Sequence, residues 1–440
     1  MPLIELFLKY GAVITARDKN TDLGENGKKL KELGVKTITG QGYLNNITEN
    51  MLFRAPGMPY FLPELTAARK NGTAVTSEME VFFDLCPCKI YAVTGSDGKT
   101  TTTSVIAEFL KAQGKNVLLG GNIGTPLLPR IEEINEAGVA VVELSSFQLI
   151  SMRRSPDVAV VTNLAPNHLD VHKDMEEYIN AKKNIFLHQN AFSRTVLNLD
   201  NEITAGFAEE ARGELMLFSR RDKVQRGAYA ENGKIYINNE FLMDTSDILI
   251  PGQHNVENYL AAICAVWGGV SRENIVKAAK TFGGVAHRTE LVREVDGVQY
   301  YNDSIASSPS RAMSGTLSLY NKKIIMIAGG ADKKVPFDEL GDEICNKVKT
   351  LILVKPKEPL PGFKPSAAGK IEEAVRKSSG YSEGTPRIIT VNSMEEAVIE
   401  AKRLASAGDV VSLCPACTAF DMYKDFEARG NLYKELVNRL

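Results

Sequence analysis

Short apolar runs alternate with amphipathic segments along the whole chain. Runs such as 89–94, 139–143 and 324–328 are typical of strands that a parallel sheet buries on both faces. Apolar residues at helical spacing between such runs predict helices, for example over 104–113 and 393–407. The alternation therefore predicts an α/β protein whose sheets are mainly parallel. The length of 440 residues fits about three domains at roughly 150 residues each.

The pattern divides the chain into three segments, over residues 1–88, 89–285 and 286–440. The first segment opens with a predicted helix, and a strand that ends near Asp18 follows it. In the second segment, short β-like runs over 215–250 predict a small antiparallel excursion. At this length we expect several separate buried cores.

Composition and charge exclude several classes of protein. Lys and Arg total 52 against 54 Asp and Glu, for a formal net charge of −2. This balance argues against a nucleic-acid binder that relies on a global basic surface. No apolar run reaches the roughly 18 residues of a membrane span, and the N-terminal stretch lacks the basic region of a signal peptide. We therefore expect a globular protein.

The six cysteines include two closely spaced pairs, Cys86 with Cys88 and Cys414 with Cys417. Such pairs are compatible with a zinc or redox site, but no histidine pattern accompanies either pair. The favoured interpretation is that these residues are small, buried and reduced. The low density of cysteines and the lack of a targeting segment favour the reducing cytosol.

The strongest local signal is the sequence GSDGKTT at 95–101, between a predicted strand and a predicted helix. Glycines let backbone N–H groups approach phosphate oxygens, and a helix N-terminus favours anions. In such a loop Lys99 reaches the terminal phosphates and the Thr100 hydroxyl reaches Mg²⁺. The loop is tighter than a Walker loop, because Gly95 and Gly98 are closer in sequence. The alternative is a threonine-rich corner between a strand and a helix.

Polar residues follow two further predicted strands. Glu143 ends one of them, at the sheet edge where a carboxylate is placed to ligate Mg²⁺, although a carboxylate that caps the next turn is an equal alternative. His168 and Asp170 follow the other strand, and there the histidine is either a metal ligand or structural. Lys182 lies on a predicted helix over 175–187, and its polar neighbours alone indicate a solvated lysine.

A series of short motifs, in order along almost the whole chain, resembles that of the Mur ligases, the ATP-dependent amide ligases of peptidoglycan precursor assembly. An ordered series is far more specific than any single motif. The motifs are GSDGKTT at 95–101, GNIG at 121–124, ELSSFQ at 143–148, NHLD at 167–170, YINAK at 178–182, GQHNVEN at 252–258, HR at 287–288, NDS at 302–304, GGADK at 329–333 and CPAC at 414–417.

The resemblance implies three α/β domains: a Rossmann-like domain over 1–88 for the UDP substrate, a central P-loop ATPase-like domain over 89–285 for ATP, and a C-terminal Rossmann-like domain over 286–440 for the amino acid. It implies an ATP-dependent acid–D-amino-acid ligase that adds D-glutamate to UDP-N-acetylmuramoyl-L-alanine through an acyl phosphate. It also implies ATP and two Mg²⁺ ions, a cytoplasmic location, a monomer, and neither a nucleic-acid nor a membrane partner.

The resemblance further implies roles for individual residues. The catalytic positions match Lys99, Glu143, His168 and Lys182. Lys182 corresponds to a lysine that the family carbamylates, a change that turns a cation into an oxygen ligand for the second Mg²⁺. The metal positions match Thr100, Glu143, His168 and Lys182. The nucleotide contacts match Gly95, Ser96, Asp97, Gly98, Lys99, Thr100, Thr101, Asn255, Asn258, Arg288 and Asp303. The substrate contacts match Asp18, Asn122, Ser145, Gln148, Lys333 and Phe426.

Three departures from the family pattern affect these expectations. Ile305 stands where many relatives have Lys, so a charge beside the phosphates is absent or comes from another residue such as Arg311. Thr418 and Ala419 stand where relatives often show Ala and then Ser, which bears on the D-glutamate contact. The chain also begins within the helix that should follow a first strand and a glycine loop. Either the true start lies upstream, or the first domain is compromised.

Two alternatives stay open. One is a different Mur ligase or an enzyme similar to folylpolyglutamate synthetase. The short chain and the absence of an Arg-rich diamino-acid pocket motif argue against it. The other is a non-catalytic, nucleotide-binding remnant, motivated by the missing first strand. The presence of Lys99, Glu143, His168 and Lys182 argues against that remnant.

Overall fold

The computed structural model describes residues 1–166, 172–358, 361–382 and 384–440. The chain forms two compact units. The first contains Met1–Asp247 and Val256–Ala279, and the second contains Ile248–Asn255 and Lys280–Leu440. The predicted division into three domains stays a prediction.

Residues 1–88 form short helices and strands within the first unit. Among the described residues here, the strands make two separate parallel pairs, β1 with β2 and β3 with β4. Sequence patterns predicted helices near 3–8, 28–33 and 65–69 and strands near 12–16, 35–39 and 74–76, but they missed the strand at 51–53 and the helix at 78–85. The elements are α1 (Pro2–Lys9), β1 (Thr15–Asp18), α2 (Gly24–Glu32), β2 (Lys36–Thr39), β3 (Met51–Phe53), α3 (Pro63–Lys70), β4 (Ala74–Thr76) and α4 (Glu78–Leu85).

The remainder of the first unit is built on one large sheet. Helix α9 begins in residues that group with the second unit. The elements are β5 (Lys89–Thr94), α5 (Lys99–Ala112), β6 (Val117–Gly121), β7 (Val139–Glu143), α6 (Ser146–Leu149), β8 (Val158–Val161), α7 (Met175–Leu187), β9 (Arg194–Asn198), α8 (Glu202–Ala205), β10 (Glu214–Ser219), β11 (Gly227–Glu231), β12 (Lys234–Ile237), β13 (Glu240–Asp244), α9 (Gln253–Val266) and α10 (Arg272–Ala279).

The order of the strands places the candidate loop at the end of an internal strand of this sheet. Over the part of the chain that the structure describes, nine strands run in the order β13-β12-β11-β10-β9-β8-β5-β7-β6. Strand β5 lies between β8 and β7, parallel to both. Because these three strands are parallel, their carboxyl ends lie at one edge of the sheet, where α/β proteins bind ligands. The side chains of β5, β7 and β8 are almost all buried, as their apolar runs predict.

The predicted antiparallel excursion over 215–250 is confirmed only in part, as a meander of β11, β12 and β13. The run at 215–218 lies in β10, which is parallel to both of its neighbours, so the prediction is wrong there. The meander continues the large sheet, because β10 pairs in parallel with β11. The β-like run at Asp247–Ile250 is not a strand. A short 3₁₀ turn at Thr245–Asp247 stands at its start, and the chain leaves the sheet there.

The second unit contains a smaller sheet flanked by helices. Within its described residues, six strands run in the order β14-β15-β19-β16-β17-β18, and only β14 is antiparallel to its neighbour. Sequence patterns predicted strands at 324–328, 350–354, 388–391 and 410–413, and the structure confirms all four, but they missed the hairpin of β14 and β15. The elements are β14 (Glu290–Val295), β15 (Val298–Asn302), α11 (Pro309–Ala312), β16 (Ile324–Ala328), α12 (Asp338–Lys347), β17 (Val348–Val354), α13 (Ala368–Lys377), β18 (Arg387–Val391), α14 (Met394–Leu404), β19 (Val410–Leu413) and α15 (Phe426–Asn438).

None of the helices in the described ranges is both long enough and apolar enough to cross a membrane. All six cysteines lie in described ranges, and there they are buried and free of disulfides. This agrees with the favoured interpretation of the two cysteine pairs. Burial raises the pKa of Cys417 to about 12, so this thiol stays protonated and unreactive at neutral pH.

Candidate functional site

The predicted phosphate loop is a tight turn between β5 and α5, and its two glycines are required by the space around them. Gly95 has a φ of 149°, and a Cβ there would stand 1.9 Å from Thr162 Oγ1. Gly98 has a φ of 77°, and a Cβ there would stand 2.3 Å from Asn258 Oδ1. Any larger residue at either position would displace these neighbours.

Lys99 begins helix α5, so its ammonium stands at the N-terminus of a 14-residue helix. Lys99 Nζ donates to the carbonyl oxygens of Gly95 and Ser96, at 2.9 and 2.8 Å. The Ser96 side chain fixes the loop from the other side, through Tyr178 Oη at 2.9 Å and the carbonyl of Ala165 at 2.9 Å. A positive side chain at a helix N-terminus forms an anion site of the kind that phosphates occupy.

Glu143 ends β7, the strand between β5 and the edge strand β6, and faces the loop. It is buried, and its Oε2 accepts from the Thr100 hydroxyl at 2.7 Å. Its Oε1 accepts from Asn122 Nδ2 at 2.8 Å, and the backbone N–H of Asn122 donates to the Glu143 carbonyl. Three of the residues that the sequence singled out therefore meet in one place.

Lys182 is buried, so the interpretation of a solvated lysine is wrong. Helix α7 directs its ammonium to the end of β5, where Nζ donates to Gly95 O at 2.8 Å and to Thr94 Oγ1 at 3.1 Å. Burial holds the pKa of Lys182 well below its usual range, and the positive charge of Lys99 acts in the same direction. A buried, weakly basic amine beside a carboxylate is typical of a functional lysine rather than a surface one.

The donor set fits a magnesium–nucleotide site. Among the described residues, no group of three or more His, Cys, Asp or Glu side chains is arranged to hold a metal ion. Mg²⁺ at nucleotide sites usually takes one or two carboxylates together with phosphate oxygens, and Glu143 with the Thr100 hydroxyl meets that need. The predicted positions His168 and Asp170 lie outside the described residues.

The sequence places His172 in a cluster of three histidines with His168 and His188 but assigns it no role. His172 is buried beside the candidate site. Its Nε2 lies 2.9 Å from Ser146 Oγ. Its ring stacks on Phe147, with the centroids 5.2 Å apart, and meets Tyr178 edge-on. His172 therefore ties the short helix α6 to α7, which also holds Lys182.

The predicted muramoyl contacts Ser145 and Gln148 form the capping box of α6. The Ser145 hydroxyl accepts from the backbone N–H of Gln148, and Gln148 Oε1 accepts from the backbone N–H of Ser145. Asp18, the predicted uracil contact, is half-buried at the carboxyl end of β1, where its Oδ1 accepts from the Asn20 N–H. These positions are compatible with ligand contacts, and the predicted roles of Asp18, Ser145 and Gln148 stay predictions.

The two predicted adenine-side residues have different surroundings. Asn258 lies in the first unit, where its Oδ1 stands over Gly98 and accepts from the Thr102 hydroxyl at 3.2 Å. Asn255 lies in the second unit and is buried, and its Nδ2 donates to the Pro251 carbonyl at 2.6 Å. Both amides are held in place by the chain.

Asp303 follows strand β15 in the second unit. It is buried, and its Oδ2 accepts from the Thr316 hydroxyl at 2.6 Å. Burial raises the pKa of Asp303, while the bond from Thr316 and the charge of Arg288 act against that rise. Arg288 itself is exposed, as a phosphate contact needs to be.

The predicted amino-acid contacts Lys333 and Phe426 both belong to the second unit. Lys333 is exposed in the loop after β16, and Phe426 begins α15. The Phe426 ring meets the His287 ring edge-on, and the Phe426 carbonyl accepts from the Ser304 hydroxyl at 2.8 Å. The sequence had given His287 no role. Among the residues that depart from the family pattern, Ile305 and Thr418 are half-buried and Ala419 is buried.

Arg429 connects the loops of this region, and no sequence signal predicted that role. It is buried on α15, and its guanidinium donates to Ser304 Oγ at 3.0 Å, to Ser304 O at 2.8 Å and to Cys417 O at 3.1 Å. Burial lowers the pKa of Arg429 to about 10. Burial also raises the pKa of nearby Asp421 from 3.8 to about 6, despite the charge of Arg429.

The raised pKa of Asp421 gives a prediction for stability. Folding makes this carboxyl bind its proton more tightly, so the free energy of unfolding should fall as the pH rises from about 4 to about 6. Asp421→Asn keeps the shape and removes that fall, which leaves the variant more stable at neutral pH by on the order of 2 kcal/mol. Urea unfolding of both proteins at several pH values measures the difference. Parallel pH profiles for the two proteins would contradict it.

Comparisons with known proteins agree with this architecture. Residues 93–266 match the family model described as the Mur ligase middle domain, and residues 287–417 match the one described as the Mur ligase, glutamate ligase domain. A protein of Acetivibrio thermocellus named UDP-N-acetylmuramoylalanine–D-glutamate ligase is 52% identical, over 100% of this chain and 94% of its own length. A protein of the same name from Clostridium kluyveri is 47% identical, over 99% of this chain and 94% of its own length.

Solved structures agree in fold. A UDP-N-acetylmuramate–alanine ligase from Thermotoga maritima has a TM-score of 0.56 at 18% identity, over 99% of this chain and 95% of that one. A UDP-N-acetylmuramoylalanyl-D-glutamyl-2,6-diaminopimelate–D-alanyl-D-alanyl ligase from Acinetobacter baumannii has a TM-score of 0.57 at 16% identity, over 88% of this chain and 89% of that one. Because two curated relatives share about half of all residues along the full chain, the chain belongs to the Mur ligase family.

Proposed function

We propose that this chain is an ATP-dependent ligase that joins D-glutamate to UDP-N-acetylmuramoyl-L-alanine, the activity in its relatives' name. The observation that carries the proposal is the cluster around the loop 95–98, where Thr100 and Glu143 share a hydrogen bond and Lys182 is buried against the loop. A lysine, a hydroxyl and a carboxylate at the carboxyl edge of a parallel sheet suit phosphoryl transfer.

A carboxylate is a poor electrophile, so the proposed reaction activates it first. The alanyl carboxylate attacks the γ-phosphorus of ATP, the bond to ADP breaks, and an acyl phosphate forms. The amine of D-glutamate attacks the carbonyl carbon and loses a proton, and inorganic phosphate leaves with one of the original carboxylate oxygens. The protein positions the reactants and neutralises charge.

The residues around the loop divide this work. Lys99, now bonded to two loop carbonyls, would turn to the terminal phosphates when they are bound. Bound Mg²⁺ would neutralise phosphate charge, and Thr100, Glu143 and His168 are the residues proposed to hold it. Lys182 is proposed to act as its carbamate, which would supply an oxygen ligand for a second ion. Its buried position and low pKa support this role, because only a neutral amine adds carbon dioxide.

The remaining contacts are assigned by the same proposal. ATP would meet Asn258 and Asn255 on the adenine side, Asp303 at the ribose and Arg288 at a phosphate. The nucleotide-sugar substrate would meet Asp18 at the uracil, and Asn122, Ser145 and Gln148 at the muramoyl part. D-Glutamate would meet Lys333 and Phe426. We further propose three domains with boundaries near residues 88 and 285, a monomer, and a cytoplasmic location, which the free cysteines support.

The proposal is tested by measuring the release of inorganic phosphate in a series of assays, each of which lacks one component. We expect release only when ATP, Mg²⁺, UDP-N-acetylmuramoyl-L-alanine and D-glutamate are all present, with L-glutamate and diamino acids inactive in place of D-glutamate. Release with another amino acid or another acceptor would indicate a different ligase of the superfamily. Tight ATP binding without turnover on any muramoyl substrate would indicate a non-catalytic protein.

A further inference from the structure

Arg54 is a buried cation in the first unit that the proposed reaction does not use. It follows β3 and is only 3% exposed. Its Nη1 donates to the Met58 carbonyl at 2.6 Å, with longer bonds to the carbonyls of Ala55 and Pro56. A single guanidinium nitrogen therefore closes the turn of residues 55–58.

The other nitrogen of the same guanidinium reaches a different part of the chain. Arg54 Nη2 donates to the Phe147 carbonyl at 2.8 Å and lies 3.4 Å from Ser151 Oγ. A helix as short as α6 leaves carbonyls without an intrahelical partner, and Arg54 satisfies one of them. Arg54 thus fixes the turn of residues 55–58 directly against α6.

The positive charge of Arg54 is linked to the carboxylate of Glu80 through the Ser151 hydroxyl. The Ser151 hydroxyl donates to Glu80 Oε2 at 2.9 Å, so a hydrogen-bonded chain runs from Arg54 through Ser151 to Glu80 on α4. A buried charge is costly unless it is paired or hydrogen-bonded. Here the hydrogen bonds of Arg54 offset that cost and at the same time join three segments of the chain.

Both segments that Arg54 joins lie where the nucleotide-sugar substrate is expected. The turn of residues 55–58 follows the carboxyl end of β3, the ligand-binding side of a parallel α/β sheet. Helix α6 carries Gln148 and is capped by Ser145, both proposed muramoyl contacts. One rigid fork that holds both segments also sets the distance between them.

We infer that Arg54 is a positioning residue for the UDP-linked substrate, because it locks the turn of residues 55–58 to the helix that presents Ser145 and Gln148. The inference rests on the proposed function for the identity of that substrate. Lysine can replace this arrangement only in part, since it keeps the charge but a single ammonium lacks the two separated donor groups that reach both segments.

Direct binding tests the inference on the full-length protein. Titration calorimetry with UDP-N-acetylmuramoyl-L-alanine, and separately with Mg²⁺-ATP, is carried out on the wild type, Arg54→Met and Arg54→Lys. We expect the Kd for the UDP substrate to rise about tenfold in Arg54→Met and less in Arg54→Lys, because misplaced binding groups lose affinity. The Kd for ATP should stay within about twofold in both variants.

Arg69→Met provides a matched control in the same segment. Arg69 stacks on the same ring as Arg54, with its guanidinium 4.5 Å from the Tyr60 centroid, and donates to Tyr60 O and Thr66 Oγ1. Arg69→Met should leave both Kd values unchanged. If Arg54→Met does not fold, Ser151→Ala cuts the link to Glu80 and should raise the Kd for the UDP substrate about threefold.

Three results would overturn the inference. One is an unchanged Kd for the UDP substrate in Arg54→Met, or in Ser151→Ala where that variant replaces it. Another is an equal rise for both ligands, which a general loss of structure would cause. The third is an equal effect of Arg69→Met. A wild type that binds no UDP-N-acetylmuramoyl-L-alanine would overturn the proposed function together with the inference. If the wild type binds this substrate and turns it over, any of the three results above overturns only the inference about Arg54.

Discussion

Substitution of Lys182 by alanine is expected to lower kcat about a thousandfold, the loss typical when a preorganised group at a phosphoryl-transfer site is removed. Lys182 Nζ stands at the end of β5, 2.8 Å from Gly95 O, inside the proposed phosphate and metal site. In the proposed reaction its carbamate supplies negative oxygen where two cations must be held. Alanine offers no oxygen ligand there, so the variant lacks the negative charge that the carbamate would supply.

Chemical rescue separates the carbamate from a purely structural role. Added acetate or formate should restore part of the activity of Lys182→Ala, because a small carboxylate can occupy the space that the side chain leaves. Lys182→Met keeps the volume of the side chain, so it should be inactive, resistant to rescue and as stable as the wild type. Lys183→Ala is the control, since Lys183 pairs with Glu210 away from the loop. If Lys182→Ala keeps its activity and added acetate or formate does not change it, the carbamate has no part in the mechanism.

Lys99→Met is expected to lower kcat/KM for ATP about a thousandfold while the Kd for UDP-N-acetylmuramoyl-L-alanine stays unchanged. The ammonium of Lys99 stands at the N-terminus of α5 beside the loop carbonyls, the one end of that helix where a phosphate gains from the dipole. Methionine preserves the length of the side chain and removes its charge. Steady-state kinetics with ATP varied, together with calorimetry on the UDP substrate, measures both values.

A second lysine of the same helix serves as the control. Lys111 lies near the C-terminal end of α5 and pairs with Glu108 on its exposed face. Lys111→Met should therefore leave kcat/KM for ATP within about twofold of the wild type. Equal losses in Lys99→Met and Lys111→Met would show that the charge of the helix as a whole, and not the position of Lys99, supports the reaction.

Local sequence patterns predicted the parts of the fold that depend on local physics. The apolar runs at 89–94 and 324–328 became buried strands with those bounds, because a strand covered on both faces needs apolar residues at every position. The loop at 95–98 was predictable because its glycines are needed for backbone geometry. The β14–β15 hairpin escaped prediction, since its first strand, ELVREV, lacks the regular alternation of apolar and polar residues that indicates a strand and is only partly buried.

Burial of polar residues could not be predicted from the sequence alone. A solvated lysine and a buried one have the same neighbours along a helix, so Lys182 gave no local sign of its position. Arg54 meets its acceptor on Phe147 across 93 residues of chain, and Arg429 meets Ser304 across 125. Such contacts are set by the topology of the sheets. The family resemblance pointed to Lys182 but gave no indication of Arg54.

The central claim is that ATP activates the alanyl carboxylate for attack by D-glutamate. It is tested most directly with UDP-N-acetylmuramoyl-L-alanine whose carboxylate carries ¹⁸O at both oxygens. Mass spectrometry of the products should find one ¹⁸O in the inorganic phosphate and one in the new amide carbonyl for each turnover. Unlabelled phosphate, with the departing ¹⁸O found instead in AMP or in water, would contradict the account.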